Sequence, residues 1–264
     1  MPELPDVEAL RIYLNATSLH QRISNVDVRS PEMLRDVTPA VLCERLCGDQ
    51  FCETSRHGKH LFVHLERGSW LIMHFGMTGG LAYFKNSRHP IYTRLLITFA
   101  NGFHLAYLSQ RKLGKIGLTV HPRTFVRDHR LGPDALDPKL TPLMLKRLLA
   151  SRRAPIKLVL MDQHVIAGIG NLYADEILFQ SAIAPTTPAC QLNEQALYRL
   201  ERTTKRVLRL AVAKQADPKQ FPRSWLFRSR KPGGSCPRCR THLHTMKLGG
   251  RTTFWCPTCQ PPSG

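Results

Sequence analysis

Three groups of residues in this 264-residue chain have types and spacings that could do chemistry. The first is Cys236-Pro-Arg-Cys239 followed, sixteen residues on, by Cys256-Pro-Thr-Cys259. Two C-x-x-C knuckles at that separation have zinc-site spacing. Four thiolates complete a tetrahedron and leave no open position, so the metal expected on Cys236, Cys239, Cys256 and Cys259 is one structural Zn2+. A redox dithiol would need only one pair. The other cysteines, Cys43, Cys47, Cys52 and Cys190, are scattered and read as small hydrophobes, because nothing suggests a secretory context that would pair them.

The second group is the start, Met1-Pro2-Glu3-Leu4-Pro5-Asp6. With Met1 removed, Pro2 offers a secondary amine whose reference pKa is near 8, so it is substantially unprotonated near neutrality. Such an amine can attack an aldehyde-like carbon and form an iminium. Glu3 beside it could move a proton. The bland alternative is that these acids serve the positive end of a helix. The third group is the break Gly168-Ile169-Gly170-Asn171. Its glycines let backbone approach a ligand, its helix N–H groups favour an anion, and Asn171 could add an amide donor to a phosphate. A plain helix–helix turn would look the same.

The elements that must position these residues fall into an order. Pro2 to Leu14 reads as a short helix, with Pro5 in its first turn and Val7, Leu10 and Leu14 on one face. From Ile23 to Leu118 the pattern turns to strands. His60–Leu65 and Trp70–Phe75 are joined by Glu66-Arg67-Gly68, and Leu95–Phe99 and Phe103–Leu108 flank Asn101-Gly102, a hairpin signal. Short strands without intervening helices predict an antiparallel sandwich or barrel. Beyond Leu131-Gly132-Pro133-Asp134 the pattern turns helical. Thr141-Pro142 is a cap with proline at the first position, and Ile156–Gln163, Asn171–Ala182 and Asn193–Gln215 are further helices. The expected fold is α+β and multidomain: a β-sandwich over 1–133, a helical domain over 134–224 and a cysteine module over 225–264.

The formal net charge is +19, and it is uneven. Between Glu201 and Arg240 twelve basic residues face two acids. One-signed fields usually serve steering, which favours nucleic acid as the partner. No helix pairs a basic face with exposed Trp and Phe, which argues against a membrane surface. No run of about 18 apolar residues exists, and the start carries acids where a signal peptide would carry basic residues, so an intracellular protein is expected, in the cytoplasm or nucleoid if the host is bacterial.

Taken together the motifs resemble the formamidopyrimidine-DNA glycosylase and endonuclease VIII family of base-excision repair enzymes. The resemblance runs the length of the chain: MPELPDVE, Lys59 in SRHGKHLFVHL, HFGMTG around Met77, QRKLG at 110–114, LGPDAL, MDQHVIAGIGNLYADEILF, and GGRTTFWCPTCQ. It implies a β-sandwich with a short N-terminal helix, a helix–two-turn–helix domain and a zinc-finger β-hairpin. It implies that Pro2 attacks the sugar C1′ of a damaged nucleotide in duplex DNA, that the base leaves, and that elimination from the Schiff base cuts the strand on both sides. Glu3 would be the proton-transfer residue and Lys59 a strand lysine that holds backbone phosphate and supports elimination. Asn171, Lys157 and Arg251 would contact phosphates, and Glu176 would support the site. Met77, Arg111 and Leu113 would fill the hole left by the extruded base, whose flipping costs about a few kcal/mol. Without the flanking matches, Lys59 would read as an exposed strand lysine and Met77 and Leu113 as core residues.

Three departures stand out. Ser109-Gln110-Arg111-Lys112-Leu113-Gly114 replaces the usual DPRRFG, so Leu113 stands where the wedge Phe would be. Asp6 replaces the usual glutamate. The stretch ADPKQFPRSWLFRSRKPGGS is too short for the long Gly-rich loop that caps the lesion in the formamidopyrimidine branch. The reading is a bifunctional DNA glycosylase/AP lyase for formamidopyrimidine or 8-oxoguanine-type bases, working as a monomer. The rivals are an endonuclease VIII-like enzyme for oxidised pyrimidines, a non-catalytic damaged-DNA-binding protein, and a zinc-ribbon RNA-binding module.

Overall fold

The computed structural model describes residues 2–86 and 88–261. The removal of Met1 therefore concerns a residue outside those described. The chain forms two compact units, one of Asp6–Arg130 with the first two residues, the other of Leu131–Gly264 with Glu3–Pro5. Helix α1, Leu4–Ser18, supplies its first residues to the second unit and the rest to the first.

The first unit is a sandwich of two sheets. One is ordered β1-β7-β8-β6, from Ile23–Val28 (β1), Thr93–Phe99 (β7), His104–Ser109 (β8) and Gly79–Phe84 (β6). The other is ordered β2-β9-β5-β4-β3, from Leu34–Arg35 (β2), Lys115–Thr119 (β9), Trp70–His74 (β5), His60–Leu65 (β4) and Phe51–His57 (β3). Every pairing is antiparallel except β2 with β9. Alternation selects the faces. Leu61, Val63 and Leu65 enter the main core with Leu71, Met73, Leu95, Ile97 and Tyr107. Phe62, Trp70 and Ile72 make a smaller core on the other face, under Phe125. Covering both faces is why β4 and β5 read as continuous apolar runs.

Two short helices join these strands, the first inside the stretch expected to be strands alone and the second beyond it. They are α2, Pro39–Leu46, capped by Thr38 Oγ1, and α3, Pro122–Asp128, capped by His121. Thr38-Pro39 carries the same cap-and-proline signal as Thr141-Pro142, so α2 was legible by the same rule.

The second unit gathers α4 (Pro142–Leu149), α5 (Ile156–Met161), α6 (Asn171–Gln180) and α7 (Glu194–Ala213) around one core. The amphipathic α7 buries Leu197, Leu200, Val207 and Leu208. The hairpin β10 (His244–Leu248) and β11 (Arg251–Trp255) turns on Gly249-Gly250. Both glycines have positive φ, as a two-residue primed turn demands. The cysteine module has no isolated core. Phe179 of α6 packs with Leu226, Cys236, Leu243 and Cys256, and the Gln260 side-chain amide donates to the Ile183 carbonyl.

Candidate active site

The α6 N-terminus is built around a carboxylate from the chain's own start. Glu3 Oε2 accepts from Gly170 N–H at 2.6 Å and Tyr173 N–H at 3.3 Å, and Oε1 accepts from Leu172 N–H at 2.9 Å. A helix N-terminus leaves donors without intrahelical partners, and a buried anion there meets both those donors and the dipole. The two glycines of the break exist for this approach. A Cβ on Gly170 would lie 2.4 Å from the Glu3 carboxyl carbon, and one on Gly168, at φ +115°, would lie 2.6 Å from the Leu4 side chain. The Leu4 N–H donates to the Gly168 carbonyl at 3.0 Å. Gln163 staples the turn, accepting from Gly168 N–H and donating to the Ile169 carbonyl. The anion expected at this helix end is thus Glu3 rather than a phosphate. Asn171 stands in the first turn with its amide oxygen buried and accepting no hydrogen bond. Pro2 is the half-buried residue before this anchored glutamate.

A second knot lies beneath the hairpin. Lys157 is fully buried, 2.7 Å from Asp175 Oδ1, and donates to Thr253 Oγ1 at 2.7 Å and the Thr252 carbonyl at 3.3 Å. Asp175 Oδ2 also accepts from Arg230 Nε and Nη2 and from the Phe254 N–H. Burial pulls the Lys157 ammonium below its usual pKa while Asp175 opposes that shift. The resemblance gives Lys157 a phosphate contact; in this structure its ammonium lies buried against Asp175, Thr253 and the Thr252 carbonyl, beneath the hairpin that carries Arg251. At the hairpin tip, a Cβ on Gly249 would come within 2.8 Å of Leu158 on α5. Arg251 follows the tip and is exposed. Glu176 is buried, holds Gln180 Nε2 and the Phe227 N–H, and is pushed up to about 7 by burial. It ties α6 to the segment leading into the cysteines.

The four sulfurs lie within 4.8 Å of one another, with Cys236–Cys259 at 3.8 Å, Cys239–Cys256 at 3.5 Å and Cys239–Cys259 at 3.6 Å. A tetrahedron with Zn–S bonds of about 2.3 Å has edges near this size, so the donor set fits one closed zinc site.

In the first unit, Lys59 sits in the β3–β4 turn and is buried. The turn is held from α1: Glu8 accepts from Arg56 Nε at 3.0 Å, and Arg56 Nη1 donates to the Gly58 carbonyl at 3.0 Å. Sequence reasoning missed this Glu8–Arg56 link, and no spacing rule would have found a contact between a helix and a strand end 48 residues apart. Two loops carry the expected void-filling residues. Gly76, at φ +58°, presses so close to the Leu113 backbone that a Cβ there would lie 2.5 Å from its carbonyl carbon. This brings Met77 and Arg111 together, Arg111 Nη1 to Met77 Sδ at 3.2 Å. Met77 and Leu113 are 37% and 46% exposed, so neither is a core residue.

Sandwich, helical break with an N-terminal carboxylate, and four-cysteine hairpin define a zinc-finger DNA glycosylase. Residues 1–116 match the formamidopyrimidine-DNA glycosylase N-terminal domain, 131–222 its H2TH domain, and 233–262 the zinc finger found in that enzyme and in IleRS. The formamidopyrimidine-DNA glycosylase of Moorella thermoacetica is 36% identical over 99% of this chain and 93% of that protein. That of Gloeobacter violaceus is 34% identical over 98% of each. The Lactococcus lactis enzyme bound to abasic-site DNA superposes with a TM-score of 0.89 at 26% identity, covering 98% of this chain and 99% of that one. The same enzyme with an oxidised-pyrimidine DNA gives 0.91 at 25%, covering 98% and 100%. The chain belongs to the formamidopyrimidine-DNA glycosylase family, and its cysteines form that family's structural zinc site.

Proposed function

We propose that the protein excises oxidised bases from duplex DNA and then cleaves the strand, using Pro2 as nucleophile. The observation that carries this is Glu3, buried beside Pro2 and held by three backbone N–H groups. An exposed acid that merely capped α1 would need no such anchorage. Anchoring fixes the Pro2 nitrogen to within one residue of the helical break, which is the positioning that nucleophilic attack requires. With Met1 gone, the Pro2 nitrogen bonds to C1′ as the glycosidic bond breaks and the base leaves. Glu3 takes the proton that the Pro2 nitrogen sheds after attack and passes it to the ring oxygen as the ring C–O bond breaks and the sugar opens to the iminium. Loss of the 3′- and then the 5′-phosphate by elimination completes the cut, with Lys59 as the cation on the phosphate side.

Met77, Arg111 and Leu113 suit entry into the stack, because the first two touch and Met77 and Leu113 present apolar surface to solvent. Leu113 is a smaller wedge than phenylalanine and buries less area in the vacated space. Asn171 and Arg251 supply phosphate contacts, and Lys157 positions Arg251 from beneath. The relatives are formamidopyrimidine-DNA glycosylases, which favours formamidopyrimidine lesions, and the Lactococcus structures include both formamidopyrimidine and oxidised-pyrimidine DNA. Among the described residues no helix is long and apolar enough to cross a membrane. We take the enzyme to act as an intracellular monomer.

The test is borohydride trapping on duplex DNA with one abasic site, with the N-terminus checked by mass. A covalent complex surviving denaturing electrophoresis is expected, and Pro2→Gly should abolish it while DNA binding persists. Absence of the complex from protein with a free Pro2 and bound DNA would overturn the chemistry in favour of a damage-binding protein.

A further inference from the structure

The outer face of α7 carries a stripe of arginines that the site above does not use. Arg199, Arg202, Arg206 and Arg209 recur at i, i+3, i+7 and i+10, which places them on one side of the helix. All four are exposed and line an open groove of about 930 Å³ with Tyr198, Thr203 and Gln180. Among the described residues, none of the four has a carboxylate within ion-pair distance. The one acid in the groove, Glu201, is already neutralised by Lys205 at 2.5 Å. The Arg202 guanidinium stands 5.5 Å from the Tyr198 ring centroid, which restrains it in an outward-facing pose.

We propose that this stripe is a second, sequence-independent site for the backbone of duplex DNA, through which the protein passes directly from one DNA segment to another. Charge and dimensions support that occupant. At 1.5 Å per residue the stripe is about 15 Å long. A duplex carries one charge per ~1.7 Å of axis with both strands counted, so the stripe spans a length that holds about nine phosphate charges, part of them on the facing side. Guanidinium forks match phosphate oxygens bidentately, and the stripe is all arginine. An open groove suits a rod better than a small ligand. The site is also distinct from the anchored turn. Gln180, which lines the groove, is the last residue of α6, and Asn171 is the first, about 14 Å away along the helix. A protein holding one duplex at the turn and hairpin can therefore offer the stripe to another, and forming the second contact before the first breaks makes transfer faster than release.

The inference rests on the glycosylase reading only for the identity of the first duplex. The full-length protein is bound to a labelled undamaged duplex and chased with rising concentrations of unlabelled duplex. The wild-type dissociation rate should climb several-fold with competitor concentration. In R199Q/R206Q/R209Q it should be flat, with single-turnover excision unchanged. K139Q/R147Q/R153Q removes the same net charge from exposed positions elsewhere on the unit and should behave as wild type. A competitor-independent wild-type rate overturns the proposal, as does a triple variant that keeps the dependence. A control variant that loses the dependence equally makes it a net-charge effect and overturns it too. Failure of excision in all three proteins would sink the glycosylase reading instead, while the dissociation rates still decide the stripe.

Discussion

The two units treat their functional side chains in opposite ways. In the helical unit the buried charges are held from several sides: Glu3 by three N–H groups, and Lys157 and Arg230 by one carboxylate. In the sandwich, Met77, Arg111 and Leu113 stand on loops with exposed surface and few partners. The first arrangement makes a rigid seat, because an unpartnered buried charge is costly and the network has one low-energy geometry. The second keeps apolar surface where it can move into a stack that is not always open. Holding and probing are divided between the units, and each side of that contrast can be tested.

Removing the zinc should have the largest effect. Structural zinc in small modules supplies an apparent ~10–16 kcal/mol of folding free energy. Because Phe179 of α6 packs directly on Cys236 and Cys256, chelation should expose the α6 end as well as the hairpin. Limited proteolysis after chelation should cut between 225 and 261 and leave the sandwich intact. Unaltered resistance there would mean that the hairpin holds without metal.

Next comes Asp175→Asn, which leaves the buried Lys157 and the part-buried Arg230 sharing a neutral amide. Breaking one partner of a buried charge network costs about 3–5 kcal/mol. The midpoint of chemical denaturation should fall accordingly, and K157M/D175N should recover part of the loss. A single substitution within about 0.5 kcal/mol of wild type would show that this seat is not held as argued.

Acidification should separate the units by sign. Burial lowers His60 to about 3 and His74 to about 4 from an unfolded value near 6.5, with further repulsion on His60 from His74, His129, His57 and Lys59. Between about pH 6.5 and 4 the unfolded sandwich binds protons that the folded one refuses. Its stability therefore falls with acid, by up to about 2.7 kcal/mol per pH unit for two protons. Glu176 behaves oppositely. With its folded value at about 7 against 4.5, the folded helical unit holds a proton that the unfolded chain has released. That contribution grows as pH falls from about 7 to 4.5, by up to about 1.4 kcal/mol per pH unit. Amide-exchange protection of β4 and β5 should drop over this range while that of α6 does not. Glu176→Gln should remove the α6 trend, and His60→Phe should flatten that of β4. Parallel changes in both units would remove the contrast.

Much of this was legible in the sequence, and what was not has a physical reason. Ligand spacing is local, so Cys236, Cys239, Cys256 and Cys259 could be read as one site before any fold was known. Helix caps are local too, which is why Thr141-Pro142 marked α4. Pairings between distant segments left no such trace. That the glycines of the break serve Glu3, 167 residues earlier, follows from the fold alone. The pairing of Lys157 with Asp175 on the next helix was likewise invisible in the sequence. Met77 and Leu113 would have read as core without their flanking motifs, because spacing alone cannot distinguish a buried apolar residue from one displayed on a loop.

The smallest effect on stability should come from those displayed residues. Met77→Ala and Leu113→Ala should each change unfolding free energy by less than about 0.5 kcal/mol, since little is buried to lose. Excision should nevertheless slow in both, because a truncated side chain leaves the vacated stack unfilled and the extruded nucleotide free to return. Leu113→Phe should speed excision, since a larger flat side chain covers more of the exposed base faces. Single-turnover kinetics on a lesion duplex, with abasic-site trapping alongside, separates the steps. Trapping needs no base to be removed, so it should stay closer to wild type than excision does. Equal loss in both would assign these loops to holding the strand, and the division between the two units would fail at the residues that define it.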